Sequence, residues 1–319
     1  MSINTEPISN TILLNLNDKL QLTALNTQVE KYIHSALSAN TRIAYKNDLA
    51  HFMSWGGSIP ASSESVSQYL AFYADVNAPA TLNRRIVSIN RAHTSQNLPS
   101  PTKSDFVKAT IRGIRRTVGT KQRQVEPILK DGLVKMVSSL VGLRGCRDRA
   151  MLLLGFAAAL RRSELVGLQY GDLEFVEHGL LIYLRHSKTD QAGEGRKIAI
   201  PYARGVVCPV LSLKEWLTTS NICHGPLFRQ VIGHSRIYDV KLSTHAVAII
   251  VKNYASLLNL DASKFSGHSL CAGLVTSAAQ AGVSAWKIKQ QTGHKSDAML
   301  YRYIRDARLF VDNAAGAVL

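Results

Sequence analysis

Two histidines and two tyrosines are gathered in the stretch Gly267–Asp306, GHSLCAGLVTSAAQAGVSAWKIKQQTGHKSDAMLYRYIRD. His268, His294, Tyr301 and Tyr303 can move a proton or attack an electrophile. An imidazole titrates near neutrality, and a phenol with a pKa of about 10 becomes a nucleophile when a base takes its proton. On a helix the residue three places after His268 shares its face and is presented beside the imidazole. That residue is Cys271. A second reading of the same stretch makes Leu270, Leu274 and Ala278 the buried stripe of a core helix, with His268 satisfying its end. Tyr301 and Tyr303, two apart on a helix, face nearly opposite ways, so only one of them can enter a common site.

The partner is suggested by charge. The 319 residues hold 38 Lys and Arg against 22 Asp and Glu, a formal charge of +16, which points to a polyanion and first of all to nucleic acid. Arg84, Arg85 and Arg91 sit on one predicted helix, where a solvated face is the alternative to phosphate contact. Arg115, Arg116, Lys121 and Arg123 run to where helical periodicity fails, and Gly119 and Pro127 bracket them as a basic linker suited to crossing a DNA backbone. The apolar run Ala150–Leu160 is too short to span a bilayer and is followed by Arg161 and Arg162. The opening MSINTEPISN lacks the basic segment and apolar core of a secretion signal, so a cytoplasmic location is expected. Cys146, Cys208, Cys223 and Cys271 lie far apart without metal-ligand spacing. They are expected to be reduced, buried small residues, with no metal and no disulfides.

The length suits two domains. Residues 1–30 show no convincing period and form an N-terminal arm. Residues 31–119 form a helical domain with helices at Ser38–Trp55, Ser63–Asp75, Ala80–Gln96 and Lys103–Val118. Ser38 caps the first of these, whose apolar side is Ile43, Leu49, Phe52 and Met53, with Arg42, Lys46 and Asp48 elsewhere. Leu82, Ile86 and Ile89 make the stripe of the third. Residues 120–127 are the linker, and 128–319 the second domain. There helices are expected at Lys130–Leu140 and Leu143–Ala159, and a new one capped by Ser163 with Glu164 near its positive end. Leu180–Leu184 and Lys197–Ile200 alternate and pair as a hairpin whose glycine-rich turn carries Lys188 at its base. Helices at Leu211–Thr219 and Ser243–Leu257 flank Gly225–Val240, a loop with a short strand. An apolar patch, Leu309-Phe310-Val311, lies near the end. The fold class is mainly α with a small β-sheet or hairpin.

Five blocks, Leu-Arg161-x-Ser-Glu164-Leu, Ser-Lys188-Thr, Gly-His268-Ser-Leu-x-Ala-Gly, Thr-Gly-His294-Lys-Ser and Tyr303-Ile-Arg, resemble in order and separation the active-site blocks of the tyrosine recombinase (phage integrase) family. The resemblance covers Ile128 to Asp306, and SANTRIAYKNDLAHFMSW is similar in style to the opening helix of that family's core-binding domain. It implies an N-terminal helical core-binding (SAM-like) domain followed by a mixed α/β catalytic domain, clamped around a duplex. The implied activity is site-specific recombination or integration, with DNA strands cut and rejoined through a 3′-phosphotyrosyl link. Bond energy is conserved in that link, so no cofactor is required. The implied partners are double-stranded recombination sites, a homotetramer assembled on them, with Leu309–Val311 a candidate for docking on a neighbour, and accessory proteins. A catalytically silent DNA-binding regulator or competitor is the other class of reading. A type IB topoisomerase shares the chemistry, but the helical domain and the close spacing of the blocks argue against it.

The resemblance also assigns roles. Charge builds on the non-bridging oxygens of the transition state, and fixed cations and donors must meet it. Arg161 would hold an oxygen pair, Lys188 protonate the leaving 5′-oxygen, His268 assist proton transfer, and His294 donate to an oxygen. Tyr303, nine places after His294 as in the family, would be the nucleophile, and Glu164 would orient its neighbours. The departure is Cys271, which stands where the family has a second arginine. Losing one preorganised donor typically costs about 3–4 kcal/mol, or roughly a hundred- to a thousand-fold in rate. Either the chain binds DNA with little cleavage, or another group fills the gap, or a slower reaction is tolerated. Impaired chemistry on an intact scaffold is the reading favoured. Arg162 lies about 100° around the helix from Arg161, and Arg302 and Arg305 have no such role in the family. A thiolate role for Cys271 would need nearby cations to lower its pKa.

Overall fold

The computed structural model describes residues 27–33, 35–120, 124–185, 195–233, 236–294 and 296–307. The chain divides into two compact units, residues 1–123 and 124–319. Lys121, Arg123, Lys188 and the Leu309–Val311 patch lie outside the described residues, as does most of the N-terminal arm.

The first unit is helical, with α1 (Ala39–Ser54), α2 (Ser63–Phe72), α3 (Pro79–Thr94) and α4 (Asp105–Val118). Their starts are specified locally. The hydroxyls of Ser38, Ser62 and Ser104 accept from the backbone N–H groups of Thr41, Ser65 and Val107, and Pro79 opens α3, where an N–H would have no partner. Phe52, Val66, Tyr69, Leu70, Leu82, Ile89 and Val107 form the core.

The apolar side expected for α1 needs correction. Ile43 and Met53 are 57% and 53% exposed, while Asp48 is 3% exposed. The buried carboxylate is satisfied by Arg84, whose Nε and Nη2 each donate at 2.8 Å, and by the Ser88 hydroxyl at 3.1 Å. Arg85, expected on a solvent or phosphate face, is buried. Its guanidinium lies 5.7 Å and 5.4 Å from the ring centres of Tyr69 and Tyr73, and its Nε is 3.9 Å from Asp48. A carboxylate and two π faces have drawn this cation inward, which is invisible to periodicity. Arg91, Arg115 and Arg116 are exposed.

In the second unit α5 (Lys130–Ser138) and α6 (Gly142–Ala157) precede a short α7 (Arg162–Gly167). A three-stranded antiparallel sheet follows in the order β1 (Leu173–Val176), β2 (Gly179–Leu184), β3 (Arg196–Pro201). After α8 (Pro209–Ser220) comes a hairpin of β4 (Arg229–Ile232) and β5 (Arg236–Lys241), where the sequence suggested a loop with a short strand. The second strand, β5, is almost wholly exposed and so lacks the apolar alternation that would have announced the pair. Then come α9 (Thr244–Leu257), α10 (His268–Gln280), α11 (Ala285–Thr292) and α12 (Asp297–Ala307). The core is centred on α6, where Ala150–Leu154 are all buried. Cys146, Cys208 and Cys271 are buried as expected, but Cys223 is exposed.

The stretch 120–127 falls across the division between the units. Its end is tied to the second, where Glu126 N–H donates to the Lys264 carbonyl at 2.9 Å. Ile128 N–H donates to Ser269 O at 3.0 Å. Only glycine fits at 273 beside this strap, because a Cβ there would lie 1.9 Å from the Ile128 carbonyl oxygen.

Candidate active site

The site is assembled from the α6–α7 elbow, β3, and the helices α10 to α12. At the elbow α6 ends, Ala159 takes a left-handed turn at φ 49°, and Leu160 enters the core. The helix α7 starts one residue before the expected Ser163 cap. Glu164 caps it instead, its Oε2 accepting from the Arg161 N–H at 2.9 Å. Its Oε1 accepts from Arg161 Nη1 at 2.7 Å. Glu164 is buried, so one carboxylate fixes both the backbone and the guanidinium of Arg161.

His268 opens α10 and Cys271 follows it one turn later, 4% exposed. From α12, Tyr303 brings its hydroxyl to 3.3 Å from His268 Nε2 while its ring packs beside Val275, Ala279, Ile288 and Leu300. Tyr301 is 51% exposed. The half-turn offset between the two tyrosines thus sends one phenol to the histidine and the other to solvent.

The end of α11 supplies the third wall. Gly293 closes the helix at φ 65°, and the buried Thr292 hydroxyl lies 2.7 Å from His294 Nδ1. Gln291 Nε2 donates to Ala157 O at 2.8 Å and to Ala199 O at 3.4 Å, tying this end to the elbow and to β3. An arginine that the motifs do not mark enters here. Arg196 Nη1 donates to Gln291 O at 3.0 Å, and the guanidinium interacts electrostatically with Arg161, Glu164 and Cys271. One signal could have found it, since Arg196 shares strand parity with Ile198 and Ile200, both buried.

Burial lowers the pKa of His268, and Arg161 and Arg162 lower it further. Burial likewise lowers His294, reinforced by Arg161, His268 and Arg196 against Glu164. Both imidazoles are therefore held neutral at neutral pH. Burial also pushes the Cys271 thiol up to about 11, with Arg161 and Arg196 pulling it back only in part and Glu164 adding to the rise. The expectation that nearby cations might make this thiol a thiolate is corrected, because desolvation outweighs them. A neutral imidazole on a phenol, beside guanidinium groups in a half-buried pocket, can deprotonate the phenol and receive an oxyanion. Lys188 lies outside the described residues, and Arg84 and Arg85 belong to the other unit.

Residues 128–308 match the phage integrase family. The integrase/recombinase xerD homolog of Selenomonas ruminantium is 40% identical over 301 residues, 91% of this chain and 88% of that protein. Recombinase cre of Escherichia phage P1 is 26% identical over 284 residues, 82% of this chain and 79% of that one. Among solved structures, a lambda integrase dimer bound to a COC′ core site superposes with a TM-score of 0.60 at 19% identity, over 89% of this chain and 95% of that one. The XerH recombinase in its post-cleavage complex with difH gives 0.60 at 15% identity, over 80% and 72%. The family match spans more than half of the sequence and the 40% identical relative nearly all of it, so the chain belongs to the phage integrase family, the tyrosine-type site-specific recombinases.

Proposed function

We propose that the protein cuts and rejoins DNA at paired double-stranded sites through a 3′-phosphotyrosyl intermediate on Tyr303, at a rate lowered by Cys271. The observation that carries this reading is the Tyr303 hydroxyl 3.3 Å from the Nε2 of a neutral His268. The phenol oxygen attacks phosphorus, its proton passes to His268, and the bond to the 5′-oxygen breaks. Lys188 gives that oxygen its proton. Arg161, held by Glu164, and His294 take the charge of the non-bridging oxygens. A 5′-hydroxyl of another strand then reverses the steps and releases Tyr303. The phosphodiester energy is kept in the protein–DNA link, so no cofactor takes part.

The exposed Arg91, Arg115 and Arg116, together with Lys121 and Arg123, contact the DNA backbone in this reading. The functional assembly is a homotetramer, the form in which lambda integrase is seen on a Holliday junction, and accessory proteins set its direction. The protein acts in the cytoplasm, and among the described residues no helix is long and apolar enough to cross a membrane.

A duplex nicked near the cleavage position traps the covalent adduct, because the short released strand diffuses away. Wild-type protein is expected to form an adduct that Tyr303→Phe abolishes and Tyr301→Phe leaves. Sequence-specific binding with no adduct from any variant would instead support the silent regulator.

A further inference from the structure

We propose that Arg196 supplies the second guanidinium that position 271 lacks, gripping the scissile phosphate together with Arg161. This rests on the recombinase reading of the site.

The placement follows from the strand. Arg196 pairs with Leu184 across the sheet, and its side chain follows the inward parity of Ile198 and Ile200. It therefore points toward α11 and the elbow, whereas Lys197 points to solvent and sits 5.1 Å from the Tyr183 ring. Room is made for it by Gly293, where a Cβ would come within 2.4 Å of Arg196 Nη1 and 2.8 Å of Cζ. The guanidinium is then pinned by the Gln291 carbonyl, at the C-terminal end of α11, where helix carbonyls favour a cation. Gln291 itself is fixed to the elbow that carries Arg161. An arginine has five N–H donors in a rigid fork. Only one is used in a bond to the described residues.

Charge gives the second argument. Arg161 and Arg196 interact with each other and with a single carboxylate, Glu164. The two histidines are held neutral, and the Cys271 thiol stays protonated. Arg161 and Arg196 carry one more charge than Glu164 balances, and Arg162 adds a further cation on the His268 side; a phosphodiester monoanion offsets this excess. Cys271 occupies the family's arginine position with a side chain too short to reach a phosphate with paired donors, so the neighbouring fork from β3 takes that contact.

A mutant cycle tests the substitution of one arginine for the other. Adduct formation on the nicked duplex is measured for wild-type, Arg196→Gln, Arg196→Lys, Cys271→Arg and the Arg196→Gln/Cys271→Arg double variant, with melting temperature and DNA affinity followed in parallel. Cys271→Arg is expected to raise the rate at least about tenfold, restoring the donor that position supplies in the family. Arg196→Gln should lower the wild-type rate about a hundredfold. Arg196→Lys, which keeps the charge and a donor for Gln291, should recover part of it and guards against a folding defect. In the Cys271→Arg background the same Gln substitution should cost less than about tenfold, because the lost donor has been replaced. The proposal is overturned by an unchanged rate in Arg196→Gln, or by the same factor in both backgrounds, which would mark a structural anchor. It is also overturned if Cys271→Arg forms adduct and the wild type does not. In the first two cases the recombinase reading stands; in the third it fails for the wild-type protein, which is then a silent binder on a scaffold that one substitution reactivates. Absence of adduct from both proteins sinks that reading, and this proposal with it.

Discussion

In each unit of the protein a histidine–tyrosine pair is accompanied by a buried carboxylate that acts on two arginines. In the first unit His51 Nδ1 lies 3.0 Å from the Tyr69 hydroxyl, and Arg84 and Arg85 lie against Asp48. In the second His268 Nε2 lies 3.3 Å from the Tyr303 hydroxyl, Arg161 is paired with Glu164, and Arg196 feels that carboxylate electrostatically. The chemistry available to the two sets differs because access differs. Tyr69 is fully buried, and burial pushes its phenol up to about 12, so it stays protonated and acts as a packed hydrogen-bonding ring. Arg85 is enclosed between two tyrosine faces. Tyr303 is only half-buried, and Arg161 acts electrostatically on the His268 that this phenol touches. The same residue types hold a helical domain together in one place and form the proposed reaction site in the other.

The contrast predicts opposite consequences for equivalent substitutions. Asp48→Asn strips the counter-charge from buried Arg85 and from half-exposed Arg84, and should cost the first unit about 3 kcal/mol, roughly a hundredfold in its folding equilibrium. Thermal unfolding would show the loss, while adduct formation per folded molecule should be unchanged. A fall in cleavage at unchanged melting temperature would erase the distinction between the two sets. Glu164→Gln keeps an acceptor but loses the charge that fixes Arg161. It should lower the cleavage rate about tenfold, through a bond to a charged group worth about 1.5–3 kcal/mol, with less effect on stability than Asp48→Asn. The smallest effect is in the pH profile. Folding lowers the pKa of His268 and His294 below the ordinary value of about 6.5. Cleavage should therefore stay level down to that pH and decline only below it, as His268 takes up a proton and can no longer accept one from Tyr303. The folded chain then binds fewer protons than the unfolded one, so these two histidines make stability fall as pH drops below about 6.5. An acid midpoint of cleavage at or above 6.5 would contradict the burial of His268.

Much of the fold could be read locally. Ser38 caps α1, the alternation of Leu180, Ile182, Ile198 and Ile200 makes a hairpin, and Glu164 stands where a helix start favours a carboxylate. These features depend on residues within a few places of one another. The burial of Asp48 and Arg85 was not legible, since it depends on α1 and α3 meeting with Tyr69 and Tyr73 alongside. Helical period alone puts both charges on the polar side. The β4–β5 hairpin escaped for a related reason, since its strand β5 is largely exposed.

By itself the sequence determined the family and the order of the site's blocks, because those are matters of residue type and spacing. It also marked Cys271 as a departure from the pattern that the resemblance implies. How Tyr303, already picked by its spacing from His294, reaches His268, how far Cys271 lies from being a thiolate, and which cation comes within electrostatic reach of that thiol were decided only by tertiary structure. Each depends on groups from separate elements brought within a few ångströms and cut off from water, where burial outweighs local charge. Arg196, 75 residues before Cys271 in the chain, came within electrostatic reach of it only through the tie between β3 and the end of α11.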